Sequence, residues 1–292
     1  ESRTCRRFMN LIISSEADTA SINLRDRLLE MSEWEEDGKF DNKTIWKLVN
    51  NYGEFCKRGT RLITIEELHI FAEEIDKKWI KQTNLNIENI VFLSRHKAAS
   101  GRPSLTVHPI GNWGAADYGG KEGEVSGATP EWMTGLLLNI RKNRISGFDV
   151  CFEATHHGPL LETPTMFIEI GSSESEWEKK EPAEALIKSL LELEPATGIN
   201  VIGIGGGHYT PRFTEAAFSH EVCFGHMVAN YGVSGLNPDI ITKAISRSKA
   251  EGIYFHRKGM KKTEYRKWKE WAEKEEIKVF NQSDYNPRNL LS

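Results

Sequence analysis

The sequence predicts an α/β fold whose sheet is largely parallel and covered by helices on both sides. Two observations lead to this prediction. Short apolar runs that suit strands alternate with helical periodicities from one end of the chain to the other. The strand runs are also apolar on both faces, as in the run 89–93, which is typical of strands buried between two helical layers.

The first half of the chain alternates strands and helices around two irregular stretches. Asp18 supplies N-cap chemistry for a helix from Ile22 to Met31, and apolar residues spaced by four predict a second helix over 66–82. The acidic segment 33–41 is expected to be a loop, and so is the glycine-rich segment 97–128 outside residues 104–109; so long a loop is usually functional or mobile. The strands predicted in this half cover residues 10–14, 44–49, 61–65, 89–93 and 104–109.

In the second half, proline marks where helices begin. Pro130, Pro182 and Pro211 stand at first helical positions, where the missing N–H costs nothing. The strands predicted here cover residues 149–154, 165–170, 200–204, 221–224, 252–255 and 277–280, and the helices residues 130–143, 181–193, 211 onward, 239–248 and 263–275. Because no linker or composition break appears, we expect one domain over 9–281, with an extension at 1–8 and a tail at 282–292.

Composition limits the class of protein. The 292 residues carry 38 basic and 42 acidic side chains, so overall charge does not indicate nucleic-acid binding and a polyanionic partner would need a local basic patch. The four cysteines are scattered and form no CxxC pair, which argues against a disulfide framework and favours a reducing compartment. No apolar stretch approaches the roughly 18 residues of a membrane span. We therefore expect a cytoplasmic protein without a membrane segment.

Histidines follow three of the predicted buried strands at the point where each strand ends. His96 follows the first, His156 and His157 the second, and His208 the third. Open α/β sheets bind ligands in the crevice outside the carboxyl ends of their strands. If the strands are neighbours, these histidines converge on one site.

This cluster predicts a metal or proton-transfer site. Catalytic zinc takes about three protein ligands, histidine nitrogen or carboxylate oxygen, and keeps a position open for water. Adjacent residues of an extended chain point to opposite sides, so His156 and His157 would serve one ion only if the chain turns at Gly158-Pro159; two nearby metals is the other arrangement. No compact motif such as HExxH is present, and either histidine taken singly has a buried, hydrogen-bonded role as its alternative. The candidate metal ligands are His96, Glu153, His156 and His208, and the candidate catalytic residues are Glu153, His156, His157 and His208.

The glycine triplet Gly205, Gly206 and Gly207 offers an anion cradle. Its backbone amides can approach a ligand closely, and the helix that follows presents free N–H groups and the positive end of its dipole. Arg212 can pair with a phosphate. The segment is neither a Walker motif nor a dinucleotide fingerprint, and a plain strand-to-helix turn is the alternative; the attached His208 favours a functional interpretation.

A basic patch lies near the carboxyl terminus. Residues 257–269 hold seven Lys or Arg side chains and one acidic side chain. A solvated helix face is the usual outcome for such a run, and contact with an RNA backbone is the functional alternative.

Several motifs in fixed order carry a family resemblance. The motifs are Ser94-Arg95-His96, Val107-His108 with Gly111-Asn112-Trp113-Gly114, Tyr118-Gly119-Gly120-Lys121, Glu153-Ala154-Thr155-His156-His157-Gly158-Pro159, Phe167-Ile168-Glu169-Ile170-Gly171-Ser172-Ser173, Gly203-Ile204-Gly205-Gly206-Gly207-His208-Tyr209 and Phe224-Gly225-His226. With these motifs, the chain resembles the D-aminoacyl-tRNA deacylase family of archaea and plants over about residues 9–281. The opening segment 15–21 also resembles that family's start.

The resemblance implies hydrolysis of the ester that joins a D-amino acid to the terminal ribose of tRNA. It also implies zinc dependence, a monomer, and a three-layer α/β/α sandwich with a mixed sheet of the phosphorylase/peptidyl-tRNA hydrolase type. Lys97 and Ala98 depart from the family, which commonly has serines there, so no hydroxyl role is expected at these two positions. The substrate-binding residues expected on this basis are Arg95, Lys121, Gly205, Gly206, Gly207, Tyr209 and Arg212.

An aminoacyl ester is already labile, so its hydrolysis needs positioning, an activated water and a stabilised oxyanion. We expect zinc, held by a subset of the histidines and Glu153, to lower the pKa of water towards about 7, and Glu153 to be the base if it is not a ligand. Two alternatives remain open: a metallopeptidase- or phosphorylase-like enzyme acting on a small molecule, and an RNA-binding protein without catalysis.

Overall fold

Two sheets form the framework of the computed structural model, which describes residues 8–50 and 52–289. The predicted extension at 1–8 lies outside the described residues except for Phe8, and so does the end of the predicted tail. The strands are β1 (Phe8–Ser15), β2 (Trp34–Phe40), β3 (Lys43–Leu48), β4 (Arg61–Ile65), β5 (Asn86–Arg95), β6 (Ser104–His108), β7 (Asp149–Phe152), β8 (Thr165–Gly171), β9 (Ile199–Ile204), β10 (Val222–Val228), β11 (Gly252–Phe255) and β12 (Lys278–Phe280).

Ten α-helices accompany these strands in the described part of the chain. They are α1 (Thr19–Met31), α2 (Glu54–Lys57), α3 (Ile75–Thr83), α4 (Pro130–Lys142), α5 (Glu174–Trp177), α6 (Lys180–Leu191), α7 (Pro211–Ser219), α8 (Asn230–Val233), α9 (Pro238–Arg247) and α10 (Lys262–Lys274). Short 3-10 turns lie at His69–Phe71, Arg257–Gly259 and Gln282–Asp284. No helix of the described residues has the length and apolar character needed to cross a bilayer.

The larger sheet has the strand order β2-β3-β4-β1-β5-β8-β6-β7. Strands β4, β1, β5 and β8 run parallel, β2 and β3 form an antiparallel hairpin at one edge, and β6 runs antiparallel to β8 but parallel to β7. The predicted α/β class with a mostly parallel, mixed sheet is confirmed. The smaller sheet, β10-β9-β11-β12, is entirely parallel.

Helices cover both faces of the larger sheet because its central strands are apolar on both sides. In β1, Ile12 packs into the core that contains Leu24 of α1, together with α4 and α6. The alternate residues Leu11 and Ile13 pack on the opposite side, in the core that contains Trp79 of α3. Helices α1, α4 and α6 therefore form one outer layer, and α3 belongs to the other.

Two local predictions are wrong. The acidic segment 33–41 is not a loop but contains β2, whose residues are mostly exposed because it is an edge strand. A two-residue turn at Asp41 and Asn42, with φ values of 48° and 65°, closes its hairpin with β3, and this backbone conformation favours Asn and Asp. The helix predicted over 66–82 is confined to 75–83, because the chain adopts a left-handed conformation at Glu74 (φ 54°).

The segment that follows β12 packs against the rest of the chain as far as Arg288. Tyr285 is buried in the main core. The guanidinium group of Arg288 donates hydrogen bonds to the carbonyl oxygens of Ala217, His220 and Val222 around α7 and β10. These contacts attach the segment to the smaller sheet.

Candidate active site

A cleft with a volume of about 820 Å³ lies between the face of β5 and β8 and the carboxyl ends of the smaller sheet. His96 follows β5, and Glu169 lies within β8 two residues from Phe167, so these last two side chains share a face. The backbone after β7 is fixed to the smaller sheet, since the amide of Ala154 donates to the carbonyl of His208 at 2.7 Å. The cleft therefore joins residues from both sheets.

Glu153 is the centre of a first cluster. Its carboxylate is fully buried, and Oε2 accepts a hydrogen bond from Nε2 of His208 at 2.8 Å and lies 3.1 Å from Nδ1 of His96. The remaining nitrogens of the two histidines meet phenols: Nδ1 of His208 lies 2.8 Å from the hydroxyl of Tyr231, and Nε2 of His96 lies 2.8 Å from that of Tyr209. Every ring nitrogen of this pair is therefore already engaged.

Glu169 is a second buried carboxylate on the same side of the sheet. Its Oε1 accepts a hydrogen bond from Ser94 at 2.7 Å and lies 3.5 Å from Nε2 of His108. Its Oε2 lies 3.4 Å from Nδ1 of His96, which thus stands between the two carboxylates. Two buried anions in one site require compensating positive charge or hydrogen-bond donors.

The two carboxylates determine the charge of the imidazoles nearest to them. Burial alone would lower the pKa of His96, but the hydrogen bonds and charges of Glu153 and Glu169 outweigh it and raise that pKa to about 11. Burial would raise the pKa of Glu153, yet hydrogen bonds from His208 and His96 hold it well below its usual range. Glu153 is thus ionised, and His96 is an imidazolium.

His108, His156 and His157 form a second cluster, with one nitrogen of each within 4.8 Å of the others. Each ring uses Nδ1 for a backbone carbonyl: His108 bonds Pro109 O at 3.0 Å, His156 bonds Ala154 O at 2.8 Å and His157 bonds Gly158 O at 2.6 Å. A carbonyl only accepts, so Nδ1 carries a proton in each ring, and Nε2 of His156 and of His157 is left with a lone pair. Burial would lower the pKa of His108, but the charge of Glu169, whose Oε1 lies 3.5 Å from Nε2, raises it. Imidazoles that ligate a metal usually have this second hydrogen bond.

The chain reaches this arrangement by turning at His157, which has a φ of 46°. The turn places the rings of His156 and His157 with their centroids 4.4 Å apart, instead of on opposite sides of an extended chain. Burial and the proximity of His108 lower the pKa of His157 to about 3, and burial together with His108 and His157 lowers the pKa of His156. Both rings are therefore neutral near pH 7.

The structure brings together most, but not all, of the residues chosen from the sequence. His96, Glu153 and His208 form one group of potential ligands, whereas His156 belongs to the group with His108 and His157, although its Nε2 lies 3.6 Å from Glu153. Arg95 lines the cleft, with its guanidinium group 5.1 Å from the ring of Trp177.

Four predicted substrate-binding elements do not line the cleft. One of them is Tyr209, whose hydroxyl lies 2.8 Å from Nε2 of His96. Lys121 is exposed on the loop that follows β6, outside the cleft wall. The glycine triplet 205–207 forms the plain strand-to-helix turn that was the alternative: Gly205 and Gly206 have φ values of 106° and 92°, and the amide of Gly205 donates to Val228 O rather than to the cleft. Arg212 points away from the cleft and donates to the side chain of Gln282 at 2.6 Å.

Four residues in or beside the cleft were not chosen as site residues from the sequence. Two of them, His108 and Glu169, stand in the family motifs but lie in buried strands, where their position gave no reason to assign them a role. Asp18, chosen only as a helix cap, caps α1 and also pairs with His69 at 3.0 Å. His69 lies in the segment 66–82, which was wrongly predicted to be one continuous helix.

Close backbone packing holds the histidine turn against the loop that follows β6. A Cβ atom at Gly158 would lie 2.2 Å from the backbone nitrogen of Gly120, so Gly158→Ala should lower the free energy of unfolding by about 1–3 kcal/mol. In the same loop a Cβ at Gly114 would meet nothing within 4 Å, and Gly114→Ala should change it by less than about 0.5 kcal/mol. Urea titration of both variants checks this; equal stabilities would contradict the packing described.

Comparison with known proteins identifies a family for the chain. A model of the D-aminoacyl-tRNA deacylase family matches residues 83–280. A D-aminoacyl-tRNA deacylase of Pyrococcus furiosus is 38% identical over 257 residues, which are 86% of this chain and 92% of that protein. The enzyme of the same name from Methanococcoides burtonii is 37% identical over 280 residues, 94% of this chain but only 57% of that longer protein.

A solved structure agrees as well. The crystal structure of AF0625, a conserved protein of unknown function, is 32% identical, with a TM-score of 0.85 over 97% of this chain and 99% of that chain. The resemblance predicted from the ordered motifs is thereby confirmed. The chain belongs to the D-aminoacyl-tRNA deacylase family.

Proposed function

We propose that this chain hydrolyses the ester between a D-amino acid and the terminal ribose of tRNA, with Glu153 as general base. Family membership supports the reaction. The observation that carries the residue assignment is the state of Glu153: Oε2 is held by His208, while Oε1 is buried without a hydrogen-bond partner among the described residues. An ionised oxygen left free in this position is suited to accept a proton from water.

In this mechanism a single residue, Glu153, both accepts and returns the proton. Glu153 takes a proton from water through Oε1, and the water oxygen attacks the ester carbonyl carbon. Collapse of the tetrahedral oxyanion breaks the bond between that carbon and the ribose oxygen, which receives the proton back from Glu153. His208 and His96 hold the carboxylate in place through Oε2, and the imidazolium of His96 adds positive charge beside the developing oxyanion.

We further propose that zinc is bound by His108, His156 and His157. One nitrogen of each ring lies within 4.8 Å of the others, as three ligands of a catalytic zinc site require, and Nε2 of His108 is buried without a hydrogen-bond partner among the described residues. Metal binding would displace the proton that Glu169 favours on His108. Zinc bound there would lower the pKa of a coordinated water. This set shares only His156 with the set proposed from the sequence, because the ring nitrogens of His96 and His208 are occupied by Glu153 and the two phenols.

We also propose that the protein is a monomer acting in the cytoplasm. The substrate class supports the compartment, since aminoacyl-tRNA is made and consumed where translation occurs. The family resemblance supports the monomer. Light scattering of the purified chain with and without tRNA tests whether the protein is a monomer, and a mass of twice that of the chain would contradict this proposal.

His208 supplies a prediction about the positioning of Glu153. His208→Ala removes the 2.8 Å hydrogen bond to Oε2, and kcat on D-tyrosyl-tRNA should fall about 100-fold, which is the effect expected of a displaced catalytic group. His208→Gln keeps an N–H donor at a similar distance and should recover part of that loss. Tyr231→Phe, which removes only the hydroxyl on the far side of the ring, is the control. Equal rates for the Ala and Gln variants would contradict a positioning role.

A further inference from the structure

A cationic surface lies beside the catalytic cleft, on a chain whose formal net charge is −4. We call it the basic ridge and define it as Arg212, Arg257, Lys258, Lys262, Arg266 and Lys269. Four of the six, Arg257, Lys258, Lys262 and Arg266, are exposed. The predicted basic run therefore forms one surface together with a residue of α7.

The fold concentrates these charges by using the other side of α10 for packing. Trp268 and Ala272 of this helix are buried against the smaller sheet, so its basic residues point outward. Arg257 precedes the helix and lies over the ring of Tyr265, with 5.6 Å between the guanidinium carbon and the ring centroid. This stacking fixes the direction of the first cation of the ridge.

Most of the cations in the ridge lack an ionic partner within the protein. Of the six ridge cations, only Lys269 forms an ion pair with another described residue, Glu273, at 3.1 Å. Arg212 hydrogen-bonds the neutral amide of Gln282. Two cavities of about 370 and 650 Å³ flank Arg257 and Lys258, which line both. Unpaired cations around concave surfaces are suited to receive anionic groups of a partner.

The ridge lies close to the candidate catalytic residues. The amide of Gly206 is 3.4 Å from the carbonyl oxygen of Gly259, and a Cβ at Gly206 would lie 2.6 Å from Nδ1 of His256, so the loop after β9 rests on the first turn of the ridge. His208, which binds Glu153, follows two residues later. Two extended residues span at most about 7 Å, so the ridge begins within that reach of the cleft wall.

We propose that the basic ridge binds backbone phosphates of the acceptor end of the tRNA while the aminoacyl ester occupies the cleft. The inference rests on the proposed function, because the position of the scissile ester requires the RNA backbone to leave the cleft nearby. Phosphate contacts by Lys and Arg supply affinity and position without reading sequence, which suits an enzyme that acts on many tRNAs. A polyanionic protein partner is the competing occupant.

The first test measures binding of uncharged tRNA, which does not depend on hydrolysis. The double variant Arg257→Gln/Lys258→Gln should bind tRNA roughly ten-fold more weakly, and the slope of log K against log salt should become shallower by about 2. The matched control is Lys142→Gln/Lys188→Gln, two exposed lysines on α4 and α6, which cover the opposite face of the larger sheet. It should bind like the unmodified chain.

The second test separates the ridge from the cleft by kinetics. With D-tyrosyl-tRNA, the ridge double variant should raise KM roughly ten-fold while kcat changes little. With D-tyrosyl-adenosine, which carries the ester but no phosphate, the variant and the unmodified chain should give the same kcat/KM. An unmodified chain that hydrolyses neither substrate would overturn the proposed function, and the binding test would still decide the role of the ridge.

Three results would overturn the ridge proposal. One is an unchanged salt slope in the ridge variant, and another is an equal loss of tRNA affinity in the control variant. The third is competition by polyglutamate as strong as that by tRNA at equal charge concentration, which would favour an acidic protein partner. Equal unfolding midpoints for both double variants verify that neither comparison reflects a damaged fold.

Discussion

Replacing Glu153 with glutamine is expected to lower kcat on D-aminoacyl-tRNA by about 10²–10⁴-fold, the range found when a general base is lost. Glutamine keeps the shape of the side chain and can still accept a hydrogen bond from His208 through its carbonyl oxygen. It cannot take a proton from water, and it removes the negative charge that holds His96 as an imidazolium. Initial rates measured over a range of substrate concentrations separate kcat from KM.

The matched control is Glu184→Gln on α6, a partly exposed glutamate that pairs with Lys180 at 3.3 Å. It should leave kcat unchanged, because an exposed pair of this kind contributes little to stability and lies on the opposite face of the sheet. If Glu153→Gln keeps more than about a tenth of the kcat of the unmodified chain, Glu153 is not the base.

Replacing His108 with alanine is expected to remove bound zinc as well as activity. Among the described residues, Nε2 of His108 is buried without a hydrogen-bond partner, with Oε1 of Glu169 3.5 Å away, and Nδ1 is fixed by the carbonyl of Pro109. Loss of one of three ligands should weaken zinc binding by more than the roughly 10–100-fold that loss of an outer-shell partner costs. Elemental analysis after dialysis against a weak chelator measures the metal content of the chain.

His226 provides the control for this experiment because it is equally buried but uses both nitrogens in the fold. Its Nε2 donates to Ser126 O at 2.9 Å, and its Nδ1 lies 3.1 Å from the hydroxyl of Thr155. His226→Gln should therefore lower the unfolding midpoint while the zinc content stays the same. Zinc bound equally well by the His108→Ala variant would contradict the assignment of the metal to this histidine cluster.

The parts of the fold that follow from local chemistry could be predicted from the sequence. Continuous apolar runs such as that of β5 identified buried strands, and proline at Pro130 and Pro211 located helix starts. The hairpin strand β2 escaped prediction because an edge strand needs no apolar face, and its five central residues are exposed. The division of the strands into two sheets also escaped, since strand pairing depends on contacts far apart in sequence.

The candidate site was predictable where polar residues follow strands and hidden where they lie within them. Glu153, His156 and His208 follow strands and attracted notice for that reason. Glu169 stands in one of the family motifs, but it is flanked by Ile168 and Ile170 in a fully buried strand, and that position gave no reason to choose it as a site residue. The histidines also meet for a different reason from the one predicted: β6 and β7 run antiparallel to β8, so no common carboxyl edge exists.

The grouping of ligands depended on one backbone angle that sequence patterns do not reveal. Extended geometry separates His156 from His157, whereas the left-handed conformation of His157 brings both beside His108. The glycine triplet illustrates the reverse case. Gly205 and Gly206 satisfy the positive φ values of a turn, and the loop supports the cleft by carrying His208 rather than by binding substrate itself.

The most direct test of the proposed function is the release of amino acid from D-tyrosyl-tRNA and L-tyrosyl-tRNA by the purified chain, each with and without a chelator. We expect rapid release from the D-ester, slow release from the L-ester, and loss of the D-activity after metal removal with recovery on adding zinc. Equal hydrolysis of both esters would contradict the assignment as a D-specific deacylase. Full D-activity in the metal-free chain would contradict the metal site formed by His108, His156 and His157.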